Sequence, residues 1–198
     1  MKTAILTGSE GQLGTEVSKK LLQLGYKVIG LDLIDSVNKN IDFYKVDLRN
    51  FSELENTIES IQDDVQVLIN NAGVSVFSPF EERTEKDLDF VIDTNLKSNI
   101  YITKLVFNKF FKPNNYGSII NIGSIYGIAS GDMSLYNEGD RRTPEIYGAT
   151  KAAIINLTKY FAAYMAENNV RVNCISPGGI FNNQSEEFVK KYSMKVPF

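Results

Sequence analysis

The chain has 198 residues, 43% of them hydrophobic and 23% charged, enough for one well-buried core in a single domain over residues 1–198. Its formal charge of −3 and pI near 5.1 give no electrostatic ground for a nucleic-acid or anionic-membrane partner. The absence of histidine excludes histidine general bases and mixed histidine–cysteine zinc sites, so no metal is expected, and the single cysteine, Cys174, excludes an intramolecular disulfide.

Residues 3–6 read as a first apolar strand. This run is too short for a signal-peptide core, and nothing later approaches a membrane span, which points to a cytoplasmic protein. The stretch TGSEGQLG, Thr7 to Gly14, follows with glycines at Gly8, Gly11 and Gly14, spaced three and three rather than the one and three of the usual dinucleotide fingerprint. The helix after it places Leu13, Val17, Leu21 and Leu24 on one face and ends at Gly25. A second strand at 27–31 runs into Asp32, 24 positions after Gly8, the spacing of an acid that accepts hydrogen bonds from an adenosine ribose. That carboxylate would repel a 2′-phosphate, and Leu33 and Ile34 follow rather than a base, so NAD is favoured over NADP.

A third strand at 43–46 reaches Asp47, a helix covers about 51–61, and a buried strand at 65–69 ends in Asn70-Asn71-Ala72-Gly73. A long helical region runs from about 84 to 111 and stops at Lys112-Pro113-Asn114-Asn115. Residues 118–122 form strand five, a helix starting near Pro144 runs to about 167, and residues 170–175 form strand six. Ser176-Pro177-Gly178-Gly179 breaks the chain before a short surface helix at 185–191. Strands alternate with helices throughout, which predicts a parallel sheet with helices on both faces, and ligands collect at the carboxyl ends of such strands. Gly8, Asp32, Asp47, Asn71 to Gly73, Ser124 and Pro177 to Gly179 all fall there.

Tyr147 and Lys151 stand four apart within a predicted helix, so phenol and ammonium share one face. A phenol near pKa 10 is a poor acid–base catalyst at neutral pH until an adjacent ammonium stabilises its phenolate. Taken with Thr7-Gly8, Asp47-Leu48, Asn70 to Gly73, Asn95, Ser124, Tyr147 to Lys151 and Ser176 to Gly179, in this order, the chain resembles the short-chain dehydrogenase/reductase family from residue 3 to about 183.

The resemblance implies a Rossmann-type doubly wound α/β fold of three layers and an NAD(P)-dependent oxidoreductase. It makes Tyr147 the general acid/base, Lys151 the group that lowers its pKa and holds the nicotinamide ribose, Ser124 the partner of the substrate oxygen, and Asn95 a positioner of a proton-relaying water. It places Gly8, Gly11, Gln12, Leu13 and Gly14 on the pyrophosphate, Asp47 and Leu48 at the adenine, Asn71, Ala72 and Gly73 beside the adenine ribose, and Pro177, Gly178 and Ile180 at the nicotinamide. Pairing through the helices at 84–111 and 144–167 is implied too, as a homodimer or homotetramer.

The chain departs from most of the family in four places. Gln12 stands where the middle glycine usually falls, as in members acting on nucleotide sugars, and 23 positions separate Ser124 from Tyr147, with a polar surplus at 131–142. Arg141 and Arg142 in that surplus are candidate grips for a phosphate or carboxylate, and with Asp132, Glu138 and Asp140 they suggest a sugar-like substrate, as in surface-glycan biosynthesis. Asn182 stands where a threonine is common. The family's last strand and C-terminal segment follow beyond the point where this sequence stops, so a missing C-terminal part and an exposed sixth strand are expected. A nucleotide-sugar dehydratase or epimerase and a truncated, non-catalytic dinucleotide-binding protein are the alternatives.

Overall fold

A computed structural model describes residues 2–136 and 142–196. Among them, six parallel strands form one sheet: β1 (Thr3–Thr7), β2 (Lys27–Asp32), β3 (Asp42–Lys45), β4 (Val65–Asn70), β5 (Gly117–Ile122) and β6 (Val170–Ile175). Their order is β3-β2-β1-β4-β5-β6, so the direction of winding reverses between β1 and β4. Pairing registers include Ile5 with Ile29, Ile5 with Leu68, and Ile69 with Ile120.

Alternation along each strand sends neighbouring apolar side chains to opposite layers. Ile5, Ile29, Leu68 and Ile119 pack with Leu54 and Ile58 of α2 (Phe51–Ser60) and with Ile102 and Val106 of the long helical stretch. Leu6, Val28, Ile69 and Ile120 face the other way, onto Val17, Leu21 and Leu22 of α1 (Gln12–Gln23). The three-layer α/β/α arrangement expected from the sequence is therefore present.

The long stretch comprises α3 (Glu85–Ile92), α4 (Ser98–Val106) and α5 (Lys112–Asn114), joined by π-helical turns at Asp93–Lys97 and Phe107–Phe111. It ends at Asn115, which takes a left-handed φ of 49°. The helix that carries Tyr147 and Lys151 is α6 (Glu145–Tyr164), and α7 (Glu186–Lys195) follows β6.

Several expectations need correction. Leu24 caps the C-terminus of α1 at 62% exposure instead of joining its packed face, because the helix has already ended and Gly25 turns the chain with a φ of 79°. Pro144 is the N-cap of α6 rather than a first-turn residue, and α6 stops at Tyr164 before a separate 3₁₀ turn at Ala166–Asn168. The last helix is longer than expected; it lies on the surface as expected, where Phe188 packs on Tyr136 and stacks with Tyr192, while Lys195 binds Asp132 and Ser134. No described helix is long and apolar enough to cross a membrane.

Candidate active site

The crevice at the carboxyl ends of β1 and β4 is built by side-chain bonds to backbone. Thr7 Oγ1 accepts from the N–H groups of Asn71 and Ala72, both at 3.0 Å, and Asn71 Nδ2 donates to the carbonyls of Thr7 and Gly8 at 3.0 and 2.9 Å. Gly8 turns with a φ of 64°, a conformation that favours glycine. Gly14 meets this turn so closely that a Cβ on it would sit 2.0 Å from the Gly8 carbonyl oxygen. Asp32 closes the outer side, accepting from the N–H groups of Glu10 at 2.9 Å and Leu33 at 2.7 Å.

Gly8, Asp32, Asn71 and Ala72 border a cavity of about 350 Å³. Of the candidates for the cofactor, Gly8, Gly11, Gln12, Leu13, Asp32, Asp47, Leu48, Asn71, Ala72 and Gly73 line it; Gly14 supports it from behind. Val46, Arg49, Val74, Phe90 and Thr94 also line it and escaped the sequence reading. Only the spacing of Phe90 and Thr94, four apart on one helical face, could have flagged two of them.

The donor chemistry suits a dinucleotide. Side-chain oxygens of Asn50, Thr84 and Ser185 cap α2, α3 and α7, whereas no side chain among the described residues caps α1 and no acid sits in its first turn. Its N-terminal N–H groups are thus open to a pyrophosphate, the partner for which a helix N-terminus is suited. The Asp32 carboxylate lies on the same wall.

Ser124, Tyr147, Lys151 and Asn95 come together beyond Gly73. Burial pushes the Tyr147 phenol above its ordinary pKa, and the neighbouring Ser124 hydroxyl opposes that rise. Lys151 Nζ lies 5.6 Å from the Tyr147 ring centre and donates to the Ile122 carbonyl at 2.8 Å. Desolvation by burial lowers this ammonium to a pKa of about 8. A side chain on Gly73 would start 3.4 Å from Lys151 Nζ, so its absence keeps the floor of the crevice open.

Asn95 lies in the first π turn, and its side chain is committed. Oδ1 accepts from the Val74 N–H at 2.8 Å, while Nδ2 donates to the Val74 carbonyl at 3.0 Å and to Thr150 Oγ1 at 3.2 Å. Both amide protons are spent on joining three segments, leaving none to donate to a water. Thr150, between Tyr147 and Lys151, is another residue the sequence reading passed over.

Beyond Ser124, the Ile125 N–H donates to the Pro177 carbonyl at 3.1 Å, and the Tyr192 hydroxyl accepts from the Gly179 N–H at 2.7 Å. Gln12 Nε2 reaches the Phe181 carbonyl at 2.7 Å, tying the glycine turn to the segment that carries Gly178 and Ile180. Those two residues and Pro177 are outside the lining of the 350 Å³ cavity. Arg142 is exposed and borders a separate cavity of about 880 Å³ together with Phe77, Arg83, Ile128 and Gly148. Neither Ser124 nor Tyr147 lines that cavity. Arg141, Glu138 and Asp140 lie outside the described residues. Asp132 is turned to Ser134 and to Lys195, whose ammonium holds its carboxyl down at about 2. Among the described residues no group of three or more Cys, Asp or Glu could hold a metal ion.

Comparison with known proteins follows the same lines. A family profile described as "short chain dehydrogenase" matches residues 2–192. An acetoacetyl-CoA reductase of Acinetobacter sp. is 30% identical over 216 residues, covering 99% of this chain and 83% of that protein. The 3-oxoacyl-[acyl-carrier-protein] reductase FabG of Rickettsia typhi is 32% identical over 198 residues, covering 96% and 77%. A crystal structure of a short chain dehydrogenase from Leptospira borgpetersenii serovar Hardjo-bovis, with bound NAD+, superposes with a TM-score of 0.89 at 39% identity, covering 98% of this chain and 77% of that one.

Proposed function

Because the chain belongs to the short-chain dehydrogenase family, a family of nicotinamide-dependent oxidoreductases, we propose that it interconverts a carbonyl compound and a secondary alcohol, with Tyr147 as acid and base and NAD rather than NADP as cofactor. The observation that carries this reading is the Lys151 ammonium 5.6 Å from the centre of the Tyr147 ring, with the Ser124 hydroxyl beside the phenol.

The bound nicotinamide supplies or accepts the hydride. In the reducing direction the Tyr147 hydroxyl gives its proton to the carbonyl oxygen, and in the oxidising direction the phenolate takes the proton from the alcohol. Ser124 donates a hydrogen bond to the same oxygen and fixes its distance from the phenol. Lys151 is charged at neutral pH even with its pKa lowered to about 8, so its field favours phenolate whenever Tyr147 yields its proton. Asp32, at the outer wall, repels a 2′-phosphate and favours NAD.

Two substrate classes are in contention. A sugar or sugar derivative, of the kind used in surface-glycan biosynthesis, draws support from the polar connection at 131–142. A 3-oxoacyl thioester draws support from the names of the two reductases similar to this chain. A homodimer or homotetramer, packed through the outer faces of α3, α4 and α6, is part of the proposal.

Titration with NADH and NADPH, followed by NADH oxidation with acetoacetyl-CoA and with a panel of sugar ketones, tests each step. Tyr147→Phe is expected to lower kcat/KM by about 10²- to 10⁴-fold with NADH affinity intact. Consumption of acetoacetyl-CoA alone decides for the thioester, and consumption of a sugar ketone alone for the sugar. NADH binding without turnover of any carbonyl would instead support the non-catalytic dinucleotide-binding protein.

A further inference from the structure

Asp47 reaches the 350 Å³ cavity with its carboxylate already fastened. The Arg49 backbone N–H donates to Oδ1 at 3.0 Å, Arg49 Nε to Oδ1 at 2.9 Å and Oδ2 at 3.2 Å, and Nη2 to Oδ2 at 2.6 Å. On its other side the guanidinium lies over the Phe90 ring, 5.1 Å from the centroid. Phe90 belongs to α3 and borders the same cavity, as does Arg49 itself. A lone surface ion pair is worth little, because both side chains remain free to move. Here a two-pronged contact, a backbone N–H and an aromatic ring restrict that freedom together.

We infer that Arg49 is a positioning residue for adenine recognition: held between Asp47 and Phe90, it turns one oxygen of the Asp47 carboxylate toward the exocyclic amine of the bound dinucleotide's adenine. The inference rests on reading this cavity as the adenosine half of the cofactor site. An ionised carboxylate has about four lone-pair sites and accepts only. Arg49 brings three N–H donors to these four sites, its Nε–H shared between Oδ1 and Oδ2, which leaves room for one further donor from a ligand. Adenine presents an amine on that edge. Hypoxanthine carries a carbonyl there, which a fixed carboxylate repels. The same guanidinium holds the Asp47 carboxyl below its ordinary pKa, so it stays an acceptor through the neutral range.

The test needs no substrate. Fluorescence titrations compare NADH with reduced nicotinamide hypoxanthine dinucleotide for the wild type, Arg49→Gln, Arg49→Lys and Asp47→Asn. The wild type is expected to prefer NADH by about tenfold, the span of one hydrogen bond to a charged group. Arg49→Gln should cut that preference to about threefold or less while its melting curve stays near the wild type's. Arg49→Lys should not restore it, since an ammonium lacks the planar fork. Asp47→Asn should reverse the preference, because an amide N–H can donate to the hypoxanthine carbonyl. Arg49 variants that keep the wild-type ratio while Asp47→Asn shifts it overturn the inference and leave the adenosine reading standing. A ratio unmoved by Asp47→Asn, or a wild type that binds no NADH, overturns both.

Discussion

At Lys151 the surroundings oppose the charge that the chemistry needs. The side chain is 5% exposed, and its pKa falls from 10.5 to about 8 through desolvation. The folded value lies below the unfolded one, so between about pH 8 and 10.5 the unfolded chain binds more protons and stability rises with pH. Below about pH 8 the full penalty is present, on the order of 3 kcal/mol by the size of the shift, offset in part by the bond to Ile122. Lys151→Met is therefore expected to be more stable than the wild type at pH 7 by about 1–3 kcal/mol and inactive, with the gap closing by about pH 10. Urea unfolding of both proteins at the two pH values checks this, and a gap that widens with pH would contradict the assignment. The spacing of Tyr147 and Lys151 was legible in the sequence because one helix sets it. The tie from Asn95 to Thr150 and the clamp of Arg49 between Asp47 and Phe90 were not, because they exist only once separate segments meet.

At the level of elements, the glycine turn has two tasks that single substitutions can separate. Gly14 lets α1 rest on the end of β1: an added Cβ would fall 2.0 Å from the Gly8 carbonyl oxygen, with backbone rather than a flexible side chain in the way. Gly14→Ala should destabilise the fold by about 3 kcal/mol or more, read as a drop in the urea midpoint. Gly11 stands at the N-cap with a φ of −69°, which alanine can adopt, and its added Cβ would meet only the Gly8 oxygen at 3.4 Å. Gly11→Ala should fold within about 1 kcal/mol of the wild type yet bind NADH more weakly, since the methyl group intrudes where the pyrophosphate approaches. Equal losses of stability in the two variants would refute the division. The three-and-three glycine spacing was visible from the start, and so were the strands, whose apolar runs and terminal turn residues mark them. The π turns were not: the run from Glu85 to Asn114 keeps helical periodicity throughout, and only the i→i+5 bond from the Ser98 N–H to the Asp93 carbonyl reveals the first of them.

Across the whole molecule, α6 buries the face that carries Lys151 and leaves an aromatic pair on the other. Tyr160 and Tyr164 are 58% and 63% exposed and stack at 5.8 Å between centroids, and Ile100 of α4 is 40% exposed. A lone exposed apolar residue needs no explanation, but stacked rings on a 20-residue helix form a surface that a second copy can cover. In the proposed dimer, closed symmetry would make the contact self-complementary, with each α6 against its counterpart. A stable contact of this kind buries about 1,200–2,000 Å², more than two rings supply, so the proposed interface would need the outer faces of α3 and α4 as well. Light scattering should therefore give the mass of a dimer or tetramer. The double variant Tyr160→Glu, Tyr164→Glu should shift that mass to the monomer, because four like charges would meet at a two-fold axis. Its NADH affinity should hold, since neither ring lines the 350 Å³ cavity. A wild type that stays monomeric at its highest soluble concentration, or a double variant that still assembles, would remove α6 from the interface.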